Sequence, residues 1–310
     1  MIYTTENNWY TWQYGNKEPM GRQNSEHLLL NFNYSRYDKP VLSFKEELDN
    51  AARSTLDHYP GLVPCIFFSG GVDSELIVRS YFNIGSNPKI YIVRFDNDYN
   101  LYDVSYAITI CNMMKWDYTL IDFNLTKFYE NDALTVAEQA QIDRPGMLPH
   151  LKFTESVDGL IIVGHSDVRY FRQHDDYSMP SVWLAQDFEH DIGCDKYNIY
   201  HNRPAIYQWF KWSPGLVLSY TKLNWFKRLV NDEIIGKTGI NSTKIEGFRE
   251  LYPDMIQREK QTGIEKIDHI YNKILEQLKL KFNGLPYRQE YIRSIDDMWV
   301  EITGNTYLNS

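Results

Sequence analysis

The chain has 310 residues, 43% of them hydrophobic, which is enough apolar material for one large or two moderate domains. Its net charge of −9 is uneven: residues 1–220 carry 18 basic against 28 acidic side chains, residues 221–293 carry 14 against 10, and residues 294–310 carry 0 against 3, a balance that argues against a general nucleic-acid binder. No apolar run of about 18 residues is present and the start MIYTTENNWY has neither a basic nor an apolar leader segment, so a soluble, cytoplasmic protein without a membrane partner is expected.

Residues 1–42 combine a turn signal at Tyr14-Gly15-Asn16-Lys17 with an alternating run from Leu28 to Tyr34, which predicts a small β-rich lead-in. Ser43-Phe44-Lys45-Glu46 has the form of a capping box, opening a helix whose apolar side is Phe44, Leu48, Ala51, Ala52, Thr55 and Leu56; Pro60-Gly61 ends it. From there strands (63–68, 89–95, 117–122, 159–163) alternate with helices (73–83, 102–115 and about 130–141). That alternation marks an α/β fold with a doubly wound parallel sheet, placed here in residues 43–170.

Residues 171–310 are expected to be mostly helical and to complete the active site, with helices over 204–210, 216–230, 264–280 and 287–300. Trp209, Trp212, Trp225, Ile267, Ile270, Ile274 and Leu278 are the candidate core there. The clusters His174-Asp175-Asp176 and His190-Asp191 with Cys194-Asp195 match no structural zinc spacing and are taken as loops. Cys65, Cys111 and Cys194 are odd in number and widely spaced, which suits reduced thiols.

The most informative stretch follows the apolar strand Pro64–Phe68: Ser69-Gly70-Gly71-Val72-Asp73-Ser74, then a helix. Two adjacent glycines let the backbone turn with its amides facing inward, and the helix adds unsatisfied N–H groups and the positive end of its dipole, a combination that holds phosphate. Ser69 and Ser74 supply hydroxyls. Asp73 suits a phosphate site when Mg²⁺ lies between carboxylate and phosphate oxygens. The spacing is not that of a Walker loop, since no lysine follows the glycines. The plain alternative is a Gly-Gly turn with a Ser or Asp cap.

A second place is the end of the strand Leu160–Val163, where Gly164-His165-Ser166-Asp167 follows. Ligands of open α/β sheets collect at the carboxyl ends of strands. Asp167 is therefore either a second metal carboxylate or a helix cap, and His165 either a general base, a phosphate contact or neither.

The Ser69–Ser74 pattern resembles the pyrophosphate loop of the N-type ATP pyrophosphatases (the PP-loop superfamily, with its adenine nucleotide alpha hydrolase-like fold). Further stretches resemble the synthetase domain of asparagine synthetase and β-lactam synthetase: Asp103-Val104-Ser105-Tyr106-Ala107, Ile142-Asp143-Arg144-Pro145, and Leu251 to Gln261 with its Arg258-x-Lys260 element. The resemblance spans about residues 43–265 and implies ATP and Mg²⁺ as ligands and cleavage of ATP to AMP and pyrophosphate. It implies nucleotide contacts from Ser69, Gly70, Gly71, Val72, Asp73, Ser74 and Gly164, metal contacts from Asp73 and Asp167, and catalytic roles for Asp73, Arg258 and Lys260, the last as the cation at the α-phosphate.

The implied reaction activates a carboxylate or carbonyl oxygen for attack by ammonia or an amine. Two departures matter. Arg169 stands where the family's second loop carries a carboxylate. Ile2 follows Met1 where a glutaminase domain would place its nucleophilic cysteine, which leaves room for a separate glutaminase subunit as partner. Other PP-loop activities, such as tRNA or deazapurine modification, and a nucleotide-binding regulator without catalysis are the alternatives.

Overall fold

The computed structural model describes residues 10–14, 28–32, 37, 39–140, 142, 145–164, 169–171, 182–230, 240–258, 261–281, 288–294, 299–300 and 303–305. The lead-in contains an antiparallel pair, β1 (Tyr10–Tyr14) and β2 (Leu28–Phe32). Helix α1 (Phe44–His58) begins as its sequence predicts. The Ser43 backbone N–H donates to the Glu46 carboxylate at 3.0 Å, and the Ser43 hydroxyl accepts from the Glu46 N–H at 3.3 Å. Its buried side, including Phe44, Leu48, Ala51 and Ala52, lies in the core.

The central sheet then forms by alternation. Strand β3 (Pro64–Phe67), helix α2 (Val72–Asn83), strand β4 (Lys89–Phe95), helix α3 (Leu101–Met114) and strand β5 (Tyr118–Phe123) build outward on one side. Helices α4 (Leu125–Asn131), α5 (Ala133–Ala140) and α6 (Leu148–Thr154) carry the chain back, and β6 (Leu160–Val163) pairs with β3 on its other side.

Two antiparallel strands, β7 (Arg169–Phe171) and β8 (Val182–Phe188), and helix α7 (Glu189–Tyr200) precede β9 (Ala205–Ile206), which completes the parallel order β5-β4-β3-β6-β9. Helices α8 (Pro214–Thr221), α9 (Asn224–Val230), α10 (Ile240–Leu251) and α11 (Asp268–Lys281) follow, and β10 (Arg288–Ser294) joins β8.

The winding is double because successive strand residues feed two separate cores. Ile66 and Phe68 point into one with α1, α2, α3 and α8; Cys65 and Phe67 point into the other with α4, α5, α6 and α11. The fold is therefore the doubly wound α/β architecture expected. Its strand order reverses between β3 and β6, so the topological switch point, where such sheets open a crevice, lies at the ends of those two strands.

Several local expectations are corrected. Residues 287–300 were expected to be helical, but β10 occupies Arg288–Ser294 and pairs antiparallel with β8, whose strand supplies the hydrogen bonds. Residues 204–210 hold β9 and the start of a 3₁₀ turn (Trp209–Lys211) instead of a helix. The helix of 216–230 is two helices, α8 and α9. Cys194 and Asp195, expected in a loop, are fully buried in α7. His174, Asp175 and Asp176 lie outside the described residues. Among the described residues no helix is long and apolar enough to cross a membrane.

Candidate functional site

The loop after β3 is shaped by two glycines with different tasks. Gly70 has φ +76, and a Cβ there would collide with the Asp103 carbonyl and stand 3.1 Å from the Ala107 nitrogen, so the loop rests directly on the first turns of α3. The Asp103–Ala107 segment picked out in the sequence is thus the surface that carries the loop. Gly71 caps α2 in extended backbone and makes no side-chain cap hydrogen bond, which leaves the first N–H groups of α2 to an incoming anion. The Ser69 hydroxyl accepts from the Gly71 N–H at 3.3 Å, and the Ser74 hydroxyl donates to the Gly71 carbonyl at 3.0 Å.

Gly164, at the end of β6, closes the other side. A Cβ on it would sit 3.2 Å from the Ser74 nitrogen and 3.3 Å from Ile77 Cδ1, so the second loop starts against the N-terminus of α2. The two loops meet at the switch point, as the strand order requires. His165 and Asp167 lie outside the described residues, as does the side chain of Arg169.

Charged groups surround the loop in two sets. Lys244, on α10 and 4% exposed, places its Nζ 3.4 Å from both oxygens of Asp73. Behind the loop, fully buried Glu75 accepts from Arg79 Nε and from an Arg258 terminal nitrogen, each at 2.7 Å. Arg79 extends the chain of charges to Asp254 by two hydrogen bonds of 3.2 and 2.9 Å. Arg258 also donates from Nε to the Gly70 carbonyl at 2.5 Å and from its other terminal nitrogen to the Ile256 carbonyl at 3.1 Å.

These contacts tie Arg258, expected to be catalytic, to the loop itself. Each of its guanidinium nitrogens has a protein acceptor, and the side chain holds the loop from behind. Lys260 lies outside the described residues. Residues near it are described: Arg258 reaches Gly70, and the Gln261 N–H donates to an Asp103 carboxylate oxygen at 2.8 Å. Asp143 and Arg144 lie outside the described residues; Pro145 is buried.

The loop opens on a cavity of about 400 Å³, within the usual range for a small-molecule site of about 300–1,000 Å³. Ser69, Ser74 and Gly164 form its polar end, and Phe67, Tyr91, Val93, Phe95 and Phe153 form much of its apolar wall, with His150, Thr262 and Tyr271 also lining it. Asn100 fixes the rim: its side chain donates to the Val93 carbonyl at 2.9 Å and accepts from the Phe95 N–H at 2.8 Å. The cavity thus pairs an apolar wall with a polar end of hydroxyls beside the N-terminus of α2, a combination suited to an apolar group carrying an anion.

Lys244 and Glu75 were not found from the sequence. For Lys244 a signal existed: it lies four residues before buried Phe248 on one helical stripe, where a lysine is out of place unless it has a partner. Glu75 carried no signal, because one acidic residue in a helix's first turn is ordinary.

The sheet and the site together define a class: a doubly wound α/β protein with a glycine loop and an uncapped helix N-terminus at its switch point. No family model and no curated protein matches the chain. Among solved structures, an NMN synthetase from Francisella tularensis is similar at 15% identity, covering 76% of this chain and 94% of that one with a TM-score of 0.33.

Proposed function

We propose that the chain binds ATP with its adenosine in the cavity and its phosphates at Ser69–Ser74, and that it transfers AMP to a carboxylate or carbonyl oxygen, releasing pyrophosphate. Ammonia or an amine then displaces AMP, giving an asparagine-synthetase-like amide-forming ligase. The observation that carries this reading is the Ser69–Ser74 loop, with α2's uncapped amides, opening on an apolar cavity at the switch point. The nitrogen donor is free ammonia, an amine substrate or a separate glutaminase subunit.

Mg²⁺ fits the donor set in one way. Among the described residues no three His, Cys, Asp or Glu side chains cluster to hold a metal by themselves. Asp73 offers one carboxylate at the loop, which is the usual protein share where phosphates supply other ligands. When bound, Mg²⁺ would neutralise phosphate charge. Asp167 is the second carboxylate this reading assigns.

The protein's own residues do the rest. Amides at the start of α2 hold the phosphates that leave, the cavity wall orients the nucleoside, and Lys244 brings a positive charge to the loop. Lys260 is assigned the α-phosphate, where charge builds up on the oxygens as the bonds change. An interaction made only then raises turnover with little effect on KM.

The deciding experiment incubates the protein with α-labelled ATP, Mg²⁺ and a panel of carboxylates with ammonia or amines, and identifies the products. AMP and pyrophosphate dependent on an acceptor support the proposal; ADP and orthophosphate as primary products overturn it. A second reading, a nucleotide-binding regulator, draws on the Lys244–Asp73 ion pair, which already neutralises the loop carboxylate. Tight ATP binding without AMP for any acceptor is its signature.

A further inference from the structure

The ATP loop contains a peptide unit that two glycines leave free to rotate, and a buried ionic chain prevents it from doing so. A trans peptide holds its C=O and N–H on opposite sides. The Gly70 carbonyl is fixed by Arg258 Nε at 2.5 Å, so the Gly71 N–H of the same unit faces the other way, toward Ser69 Oγ at 3.3 Å on the cavity side. Glycine visits positive and negative φ with similar ease, so nothing in the local backbone of Gly70-Gly71 enforces this orientation. The reversed peptide would present a carbonyl oxygen to an incoming phosphate.

Arg258 in turn is held by Glu75. Glu75 is fully buried one residue after the Ser69–Ser74 pattern, and both its oxygens are taken, one by Arg79 and one by Arg258. Arg79 is anchored independently by Asp254 and lies over the Tyr252 ring at 4.9 Å. The geometry points to Glu75 as a positioning residue for phosphate binding: acting through Arg258, it keeps the Gly70–Gly71 peptide in the orientation that accepts an anion. Glu75 touches no ligand itself, and its effect is confined to the phosphate end of the site.

This inference rests on the ATP reading and deepens it, and the test separates the two. Binding of ATP, inorganic pyrophosphate and adenosine is measured by calorimetry for the wild type, Glu75→Gln and Arg258→Lys, with thermal unfolding recorded for each. Glu75→Gln keeps the shape but loses the charge that orients Arg258. Arg258→Lys keeps the charge beside Glu75 but loses the fork that reaches Gly70, and so holds the test open should the first variant fold poorly.

The expected result is a weakening of ATP and pyrophosphate binding by a factor on the order of 10 to 100 in both variants, the scale of one charge-assisted hydrogen bond, with adenosine affinity unchanged. Undiminished ATP and pyrophosphate affinity in a folded variant overturns the positioning role. An equal loss of adenosine affinity overturns it as well, because that is what a general loss of structure does. Failure of the wild type to bind ATP removes the nucleotide reading itself, and the inference with it.

Discussion

Lys244 Nζ stands 3.4 Å from both carboxylate oxygens of Asp73, across 171 residues of sequence, and only 6% of the lysine side chain is exposed. The pair brings α10 to the loop and sets a cation beside the first turn of α2. A lysine so placed can exchange its carboxylate partner for a phosphate oxygen without leaving the site.

From this pair we expect Asp73→Ala to abolish Mg²⁺-dependent ATP binding. Lys244→Ala should lower ATP affinity by a factor on the order of 10 or more, since a charge-assisted contact is lost from a mostly buried position. Titration of ATP at fixed and varied Mg²⁺ measures both. Unchanged affinity in Asp73→Ala would rule out the metal assignment.

Lys260→Ala is expected to reduce turnover by a factor on the order of 10² while leaving KM for ATP near its original value, the scale of one preorganised electrostatic contact. Steady-state kinetics with the acceptor found in the product assay checks this. Normal turnover in the variant refutes the role given to Lys260.

Gly70 and Gly85 offer a controlled comparison, because both have φ +76 but only Gly70 has the Asp103 carbonyl where a Cβ would go. Gly85→Ala should cost about 1–2 kcal/mol, the strain of left-handed backbone alone. Gly70→Ala should cost more and lose ATP binding, because loop and α3 must separate. Urea unfolding of the two variants, alongside ATP binding, reads out both effects.

Stability should fall on mild acidification through His58. The residue is exposed overall, but its ring packs with centroids 4.7 Å from Tyr59 and 5.5 Å from Trp212, and this partial desolvation holds its pKa below the usual 6.5. Above pH 6.5 the imidazole is neutral folded and unfolded, so it contributes nothing. Below it the unfolded chain takes up a proton that the folded chain resists, and stability drops as pH falls. Glu47, raised above 4.5 by burial, opposes that loss by taking up a proton when folded. The informative measurement is therefore the difference between wild type and His58→Phe in urea unfolding at pH 7.5 and 5.5, with the variant showing the smaller decline.

The three cysteines should be silent toward Ellman's reagent in the native protein and all react once it is denatured. Each is fully buried. Burial, then the nearby Glu75 charge, pushes the Cys111 thiol up to about 12, so even at pH 9 little thiolate is present. Rapid labelling of Cys111 in folded protein would contradict this packing.

What the sequence made legible was local. The strand, loop and helix at Pro64–Asn83, the capping box at Ser43 and the alternation through Val163 each depend on neighbours a few residues apart. Arg288–Ser294 shows no strand signal because it has little apolar pattern of its own, and its conformation is decided by pairing with β8 about 100 residues earlier. Helix α10 was hidden for a different reason. It contains Gly247, a poor helix former, required because a Cβ there would come within 2.6 Å of Trp225 Cβ. That close approach seats the helix carrying Lys244, so the residue that weakens the helical signal also serves the packing around the site.

The hydrogen bond from Arg258 to the Gly70 carbonyl spans 188 residues, and this bears on how the protein is made. During synthesis β3, the loop and α2 leave the ribosome early, yet the guanidinium that fixes the loop follows long after, so the central strands can pair before the loop is set. Closing so long a stretch is a late and entropically costly event in folding. Nucleotide added during refolding should consequently do little to speed the formation of the sheet. Its effect belongs to the last step, when the C-terminal segment docks and slow unfolding from a completed site becomes possible.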